Sequence, residues 1–302
     1  MSSSTSRPPN AVARPADRRE GLLYGLLGVA CFSLTLPATR IAVTGLDPVF
    51  VGLGRAVVAA ALAGAVLLAT RSPWPGRALL PRIAIVAAGV IVGFPLFTAL
   101  AMRRVPASHG AIVIGVLPLA TALAGAWLAH ERPSRAFWLC SLAGSAVVVG
   151  FALWQGGGAL HLADLLLLAA VAAAAIGYAE GGRLARTLGG WQVISWALVL
   201  AAPLMLLPTL WVVDARVATA SPAAWAGFAY VSVFSMFLGF FAWYRGLALG
   251  GIAVVGQTQL TQPFLTLFAS ALLLGEPLEP ATFVAAGLVV VAIALARRYA
   301  SR

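Results

Sequence analysis

The sequence predicts an all-α membrane protein, with ten transmembrane helices arranged as two inverted five-helix repeats and both termini cytoplasmic. Three observations carry this reading. Hydrophobic residues make up 61% of the 302-residue chain and charged residues 10%, with a mean hydropathy of +0.96, far from the balance of a soluble domain. Uncharged runs recur at 21–39, 83–102, 105–129, 136–163, 187–213, 217–244, 246–275 and 281–296, and about 20 apolar residues suffice to cross about 30 Å of hydrocarbon. Finally, GAIVIGVLPLATALAGAWLAHE (110–131) and VGQTQLTQPFLTLFASALLLGE (255–276) share one pattern: a mid-span proline and a later glutamate, Pro118 to Glu131 and Pro263 to Glu276, at an offset of 145 residues.

Taken in order, residues 1–19 are polar, Pro-containing and basic, and read as a disordered cytoplasmic tail. No short apolar core leads into a small-residue cleavage site, so the first helix itself acts as the insertion signal. Helices are expected over 20–43, 48–70, 82–102, 107–129, 135–154, 163–182, 190–213, 223–244, 251–274 and 280–297. The second tolerates Arg55, and the sixth carries Asp164 and Glu180. The joint Gln155–Leu162 (QGGGALHL) has three consecutive glycines and separates a first repeat, 20–155, from a second, 163–298. Strands are not expected, because the apolar segments are too long and too continuous for alternating barrel strands. Cys31 and Cys140 fall inside helices, where a small thiol packs well, and receive neither a disulfide nor a metal.

Arginine placement orients the chain. The sequence has no lysine and 20 arginines. With the N-terminus inside, fifteen lie in inner loops and tails, and five (Arg40, Arg55, Arg103, Arg104, Arg216) lie outside or in outer helix ends. That satisfies the positive-inside rule. The net charge of +11 is thus a topology signal. The arginines are spread over loops between apolar spans and form no patch, which argues against nucleic acid as a partner.

Five helices per repeat is an odd number, so the second copy starts on the opposite side of the membrane, related to the first by a pseudo-two-fold axis in its plane. Inverted halves can exchange packings and expose one central site to either side. Pro118 and Pro263 suit hinges, since a mid-helix proline frees the carbonyl four residues back, at Ile114 and Gln259. A static kink is the alternative. Glu131 and Glu276, each at a helix end, are either interfacial stops or gates that pair with the other half.

Few polar residues fall within the spans, so each can be weighed. Gln257, Gln259 and Gln262 surround Pro263 and are candidates to line a cavity, with interhelical hydrogen bonding as the alternative. Tyr230, Phe234, Phe237 and Phe241 follow i, i+4, i+7, i+11 spacing on one face, either a lipid-facing or packing stripe or a stacking wall for a flat solute. Arg40 is a candidate for a solute carboxylate. It and Arg55 are expected near the outer end of the first helix pair, close to Asp47. Glu180 lies three residues before Arg183, which predicts a local ion pair, and is the acidic group placed for proton coupling. Gly21-Gly25, Gly89-Gly93 and Gly246-Gly250 have small-xxx-small spacing that permits close helix approach.

At these residues the chain resembles the EamA-type drug/metabolite transporter superfamily. Leu273-Leu274-Gly275-Glu276 matches the ending of the family's fourth repeat helix, whereas Leu128-Ala129-His130-Glu131 carries His130 where glycine is usual. Phe32–Arg40 (FSLTLPATR) aligns with the family's first-helix segment, with Arg40 replacing lysine and Phe32-Ser33 replacing Trp-Gly. Arg55-Ala56-Val57-Val58-Ala59 and Phe97-Thr98-Ala99-Leu100 match the second and third helices. The resemblance implies an inner-membrane carrier, usually an exporter of amino acids or related metabolites, without metal or organic cofactor. Helices 1–4 and 6–9 would surround the cavity, and the partners would be an amino-acid-like solute, the bilayer and a proton or solute gradient. Sugar-type carriers and a non-transporting scaffold or lipid-flipping subunit are the alternatives. An enzyme is disfavoured: His109, His130 and His161 have no metal spacing, and H-E-x-x-H and G-x-S-x-G motifs are absent.

Overall fold

The computed structural model describes residues 15–128, 161–278 and 280–300, with single positions between 135 and 154. Residues 1–14, Glu131, His130 and Cys140 lie outside the described residues. The described chain is helical and contains no strand. Seven helices are long and apolar enough to cross a membrane: α1 (Arg19–Gly45), α2 (Phe50–Ala69), α3 (Arg77–Met102), α4 (Ala107–Leu128), α5 (Leu162–Leu188), α6 (Gly190–Trp211) and α7 (Pro222–Gly250). Two shorter apolar helices follow. α8 ends in Gln262–Leu274, reached through Ile252–Gly256 and a 3-10 turn at Gln257–Thr261, and α9 is Pro280–Ala300. The helix that contains α1 begins at Pro15, so residues 15–19 of the expected tail are helical.

These segments are helical because they are long apolar runs in which every backbone polar group must be satisfied internally once water is excluded. Their outward faces remain apolar: Leu204, Leu207, Trp211, Phe268 and Leu272 are among the most exposed large hydrophobics, as expected of a surface covered by lipid. Inside, the helices approach through glycine. A Cβ on Gly21 would meet the Gly250 nitrogen at 2.6 Å, and one on Gly246 the Gly25 nitrogen at 2.9 Å. Gly89 would meet the Ala173 carbonyl oxygen at 2.4 Å and Gly177 Cα at 2.9 Å. All three glycine pairs expected from their spacing therefore sit inside the protein, joining α1 to α7 and α3 to α5.

The contacts have a simple pattern. α1 packs on α7 and α3 on α5; α4 packs on α5 and α1 on α8; α2 packs on α6 and α4 on α8. Exchanging α1–α4 for α5–α8 maps this set of contacts onto itself. Successive helices run in alternating directions, except that α4 and α5, separated by residues 129–161, run the same way with their first turns together, so the bundle has two ends. Arg82, Glu180, Arg183, Glu20 and Arg245 lie at one; Asp47, Ser108, His109, Asp164 and Glu276 lie at the other.

Candidate solute-binding site

The two prolines end one helix piece and begin another. α4 is built from Ala107–Ile114 and Leu117–Leu128, with Pro118 second in the later piece. α8 restarts at Gln262 with Pro263 in its first turn. Proline has no N–H and a φ near −65°, so it fits a first turn better than a helix interior. The sequence suggests a kink in a continuous helix; the protein instead breaks both helices at the same place in the repeat. The breaks meet: a Cβ on Gly115 would lie 3.3 Å from Pro263 Cγ. Leu36, Gly115, Pro118, Gln259, Gln262 and Pro263 line the small cavity between them. Gln259 is buried, and neither its amide oxygen nor its nitrogen has a hydrogen-bond partner.

A second cavity adjoins the first and shares Gln262. Phe32, Thr35, Arg55, Tyr178, Ser235 and Phe240 supply much of its wall. Three π-helical segments lead into it. Phe50–Gly54 ends directly before Arg55, Ala87–Gly93 carries the lining residue Val90, and Val231–Leu238 carries Ser235 and Met236. π turns are uncommon and recur at functional sites, where they re-aim side chains. Arg55 is 1% exposed, and its Nε and one terminal nitrogen have no hydrogen-bond partner. Thr35 and Ser235 share a hydroxyl–hydroxyl bond of 2.8 Å between α1 and α7. Phe32, Tyr178 and Phe240 form a ring cluster, with Phe32 nearly parallel to Tyr178 at 6.3 Å and tilted against Phe240 at 5.1 Å. Each cavity has room for about one water molecule. No organic solute fits until the helices separate.

The other residues singled out by sequence are dispersed. Arg40 is partly buried, donates to the Met102 carbonyl oxygen and is not among the residues lining either cavity. Of the aromatic stripe, the Tyr230 hydroxyl donates to the Cys31 carbonyl at 3.0 Å, Phe237 is buried, Phe241 packs edge-on against it at 4.6 Å, and Phe234 is 47% exposed. None of the four is among the residues lining either cavity. Gln257 falls in the 3-10 turn of α8. Arg55 lies in the first turns of α2, near the end its sequence number suggests, and is buried there rather than exposed. Tyr178, Thr35 and Ser235 were not signalled by sequence as site residues.

Polar links tie the halves together at both ends. At one end, Glu180 accepts from Arg82 of α3 and, at 3.1 Å, from Arg183; the Arg183 pair is the one its spacing predicts, and Arg82 adds a bond between halves. Glu20 pairs with Arg245 at 3.0 Å. At the other end, both Glu276 carboxylate oxygens accept from the start of α4, from Ala107 N and Ser108 N at 2.8 Å each. A carboxylate is well placed there because the first N–H groups of a helix have no internal partner. Beside it His109 Nε2 lies 2.7 Å from Asp164 Oδ1, and the same carboxylate accepts from His161 N. Among the described residues no cluster of His, Cys, Asp or Glu could hold a metal ion.

Comparison with known proteins agrees with this architecture. The EamA-like transporter family matches twice, over residues 19–153 and 161–298. "Uncharacterized transporter YdeK" of Bacillus subtilis (strain 168) is 49% identical over 281 residues, which is 93% of this chain and 98% of that protein. A solved crystal structure superposes with a TM-score of 0.66 over 94% of this chain and 99% of its own, at 20% identity, a likeness of fold. The two cavities between broken helices therefore belong to a membrane transporter rather than to an enzyme. This chain is a member of the EamA-like transporter family.

Proposed function

We propose that the protein exports amino acids or related small carboxylated solutes across the inner membrane by alternating access between two inverted repeats. The observation that carries this is the pair of adjoining cavities at the meeting of both halves, whose walls hold unpaired buried polar groups at Arg55 and Gln259. Buried polar atoms without partners are costly, and a solute supplies those partners. Because the cavities are closed, the solute reaches them only when one end of the bundle opens.

The ten-span, inverted topology is supported by continuity. Leu128 and Leu162 lie at opposite ends of the bundle, and the positions described between 135 and 154 are helical, which supports a further span. With α8 and α9 this brings the spans to ten. The symmetric contact pattern and the matched breaks at Pro118 and Pro263 support two related halves. The arginine distribution supports a cytoplasmic N-terminus. In this frame Glu276 is the outer latch, and Glu180 with Arg82 holds the inner end.

Counterflow of labelled amino acids and related carboxylates in liposomes reconstituted with the full chain tests the reading. Saturable exchange is expected, and Gln262→Leu should reduce it at least about tenfold, the size of one lost buried hydrogen bond to a polar solute. The variant's membrane level should not change. Absence of exchange for every member of the panel would refute the carrier reading.

A further inference from the structure

The charge balance of the second cavity says more about the solute. Arg55 is the one charged residue in its wall, and each acidic group described near the bundle is already engaged elsewhere. Glu20 holds Arg245, Asp47 caps Val49 N and Phe50 N, and Asp164 holds His109. Glu180 holds two arginines, Glu276 caps α4, and Asp17 and Asp214 have partners of their own. Among the described residues, then, no carboxylate balances Arg55. An unpaired buried guanidinium is one of the least favourable groups a protein can retain, and it cannot shed its proton to escape the cost.

We propose that Arg55 with the Thr35–Ser235 hydroxyl pair forms the carboxylate end of the solute site, and that its preferred solute is an aromatic carboxylic acid of net charge −1. This rests on the carrier reading above and narrows its substrate class. A carboxylate gives Arg55 its missing acceptor in a charge-assisted bond. Of the two hydroxyls, one donates to the other, which leaves a second proton to donate to the solute. Phe32, Tyr178 and Phe240 offer ring faces and edges to an aromatic group. No wall residue offers a carboxylate to an ammonium group. A zwitterionic amino acid therefore leaves its positive end beside Arg55 without an anion, whereas the 2-hydroxy or 2-oxo acid with the same side chain meets no such penalty. This ranks monoanions ahead of the amino acids of identical shape.

The test uses purified full-length protein and four phenyl compounds: 3-phenyllactate and phenylalanine, which match in size, and the smaller 2-phenylethylamine and benzyl alcohol. Thermal stabilisation measures binding, and inhibition of counterflow measures transport. Phenyllactate should bind at least about tenfold more tightly than phenylalanine, and the amine and alcohol should not compete. Arg55→Gln should abolish the preference, and Arg55→Lys should retain part of it. The unliganded Arg55→Gln protein should melt no lower than the wild type, because the variant removes an unpaired charge; a structural ion pair would give a marked drop. Equal or tighter binding of phenylalanine would overturn the proposal, as would a selectivity unchanged in Arg55→Gln or stabilisation reproduced by chloride alone. Exchange of phenylalanine without competition by phenyllactate would sink this proposal and leave the carrier intact. Arg55-dependent binding of phenyllactate without exchange of any solute would support the site and sink the carrier reading.

Discussion

Gly89→Val is expected to leave almost no folded protein. A Cβ at this position falls 2.4 Å from the Ala173 carbonyl oxygen and 2.9–3.0 Å from Gly177 backbone atoms. Both are backbone, so no side chain can swing aside, and α3 and α5 must separate. Small residues at such crossings let helices pack closely where the hydrophobic effect between helices is absent. Forcing the contact open costs about 3 kcal/mol, the upper end of the usual range for overpacked cores, a large part of a marginal stability. Size-exclusion of detergent extracts should show aggregate in place of a monodisperse peak. Gly64→Ala is the control, since its added Cβ would meet only Val199 Cγ2 at 3.8 Å; that variant should stay within about 0.5 kcal/mol of the parent. A folded, monodisperse Gly89→Val protein would contradict the packing described.

Glu276→Ala should shift the protein toward the state open at the Glu276 end. The wild-type carboxylate accepts from two free N–H groups at the start of α4, and it belongs to the other half of the chain. Removing a helix cap costs about 1–2 kcal/mol. If the contact exists only when that end is closed, 2 kcal/mol moves the ratio of states about 30-fold. Ala111, which is buried and lines the first cavity, reports the shift when replaced by cysteine on a background without Cys31 and Cys140. A polar thiol reagent added at the Glu276 end should label Ala111→Cys at least about tenfold faster in the Glu276→Ala protein. Glu276→Gln keeps one acceptor and should fall between. Equal labelling rates would mean that the cap only finishes a helix and latches nothing.

How much of this was legible depended on what each signal needed. Helix positions follow from length and apolarity, which in a bilayer leave the backbone little choice; α3, α4 and α6 begin or end within a few residues of their expected limits. The glycine pairs were legible because small-xxx-small spacing is local. Which face of α7 meets the cavity was not, because the spacing of its aromatic stripe assumes a continuous α-helix. The π segment Val231–Leu238 bonds i to i+5 and rotates the face through that stripe, which leaves Phe234 exposed and brings Ser235, Met236 and Phe240 to the cavity. Arg55 had a visible clue. Its helix buries Ala56, Ala59, Ala60 and Ala63 together with Arg55 itself, a run of small residues that marks a packed face. Thr35 and Ser235 meet across 200 positions of sequence, a juxtaposition that depends on the tertiary packing of α1 on α7. Glu131 lies outside the described residues, so its place in the matching latch rests on the repeat alone.

The central claim is that one cavity is served from both sides, one side at a time. Met236 lines the second cavity and is 1% exposed, so Met236→Cys without other cysteines is the most direct reporter. It should be measured in right-side-out and inside-out vesicles with a membrane-impermeant thiol reagent, with and without a transported solute. The account predicts labelling from each side, protection by solute on both, and opposite responses to Glu276→Ala, faster from the Glu276 end and slower from the Glu180 end. Labelling from one side only, or faster labelling from both sides in the Glu276→Ala protein, would contradict alternating access at this site.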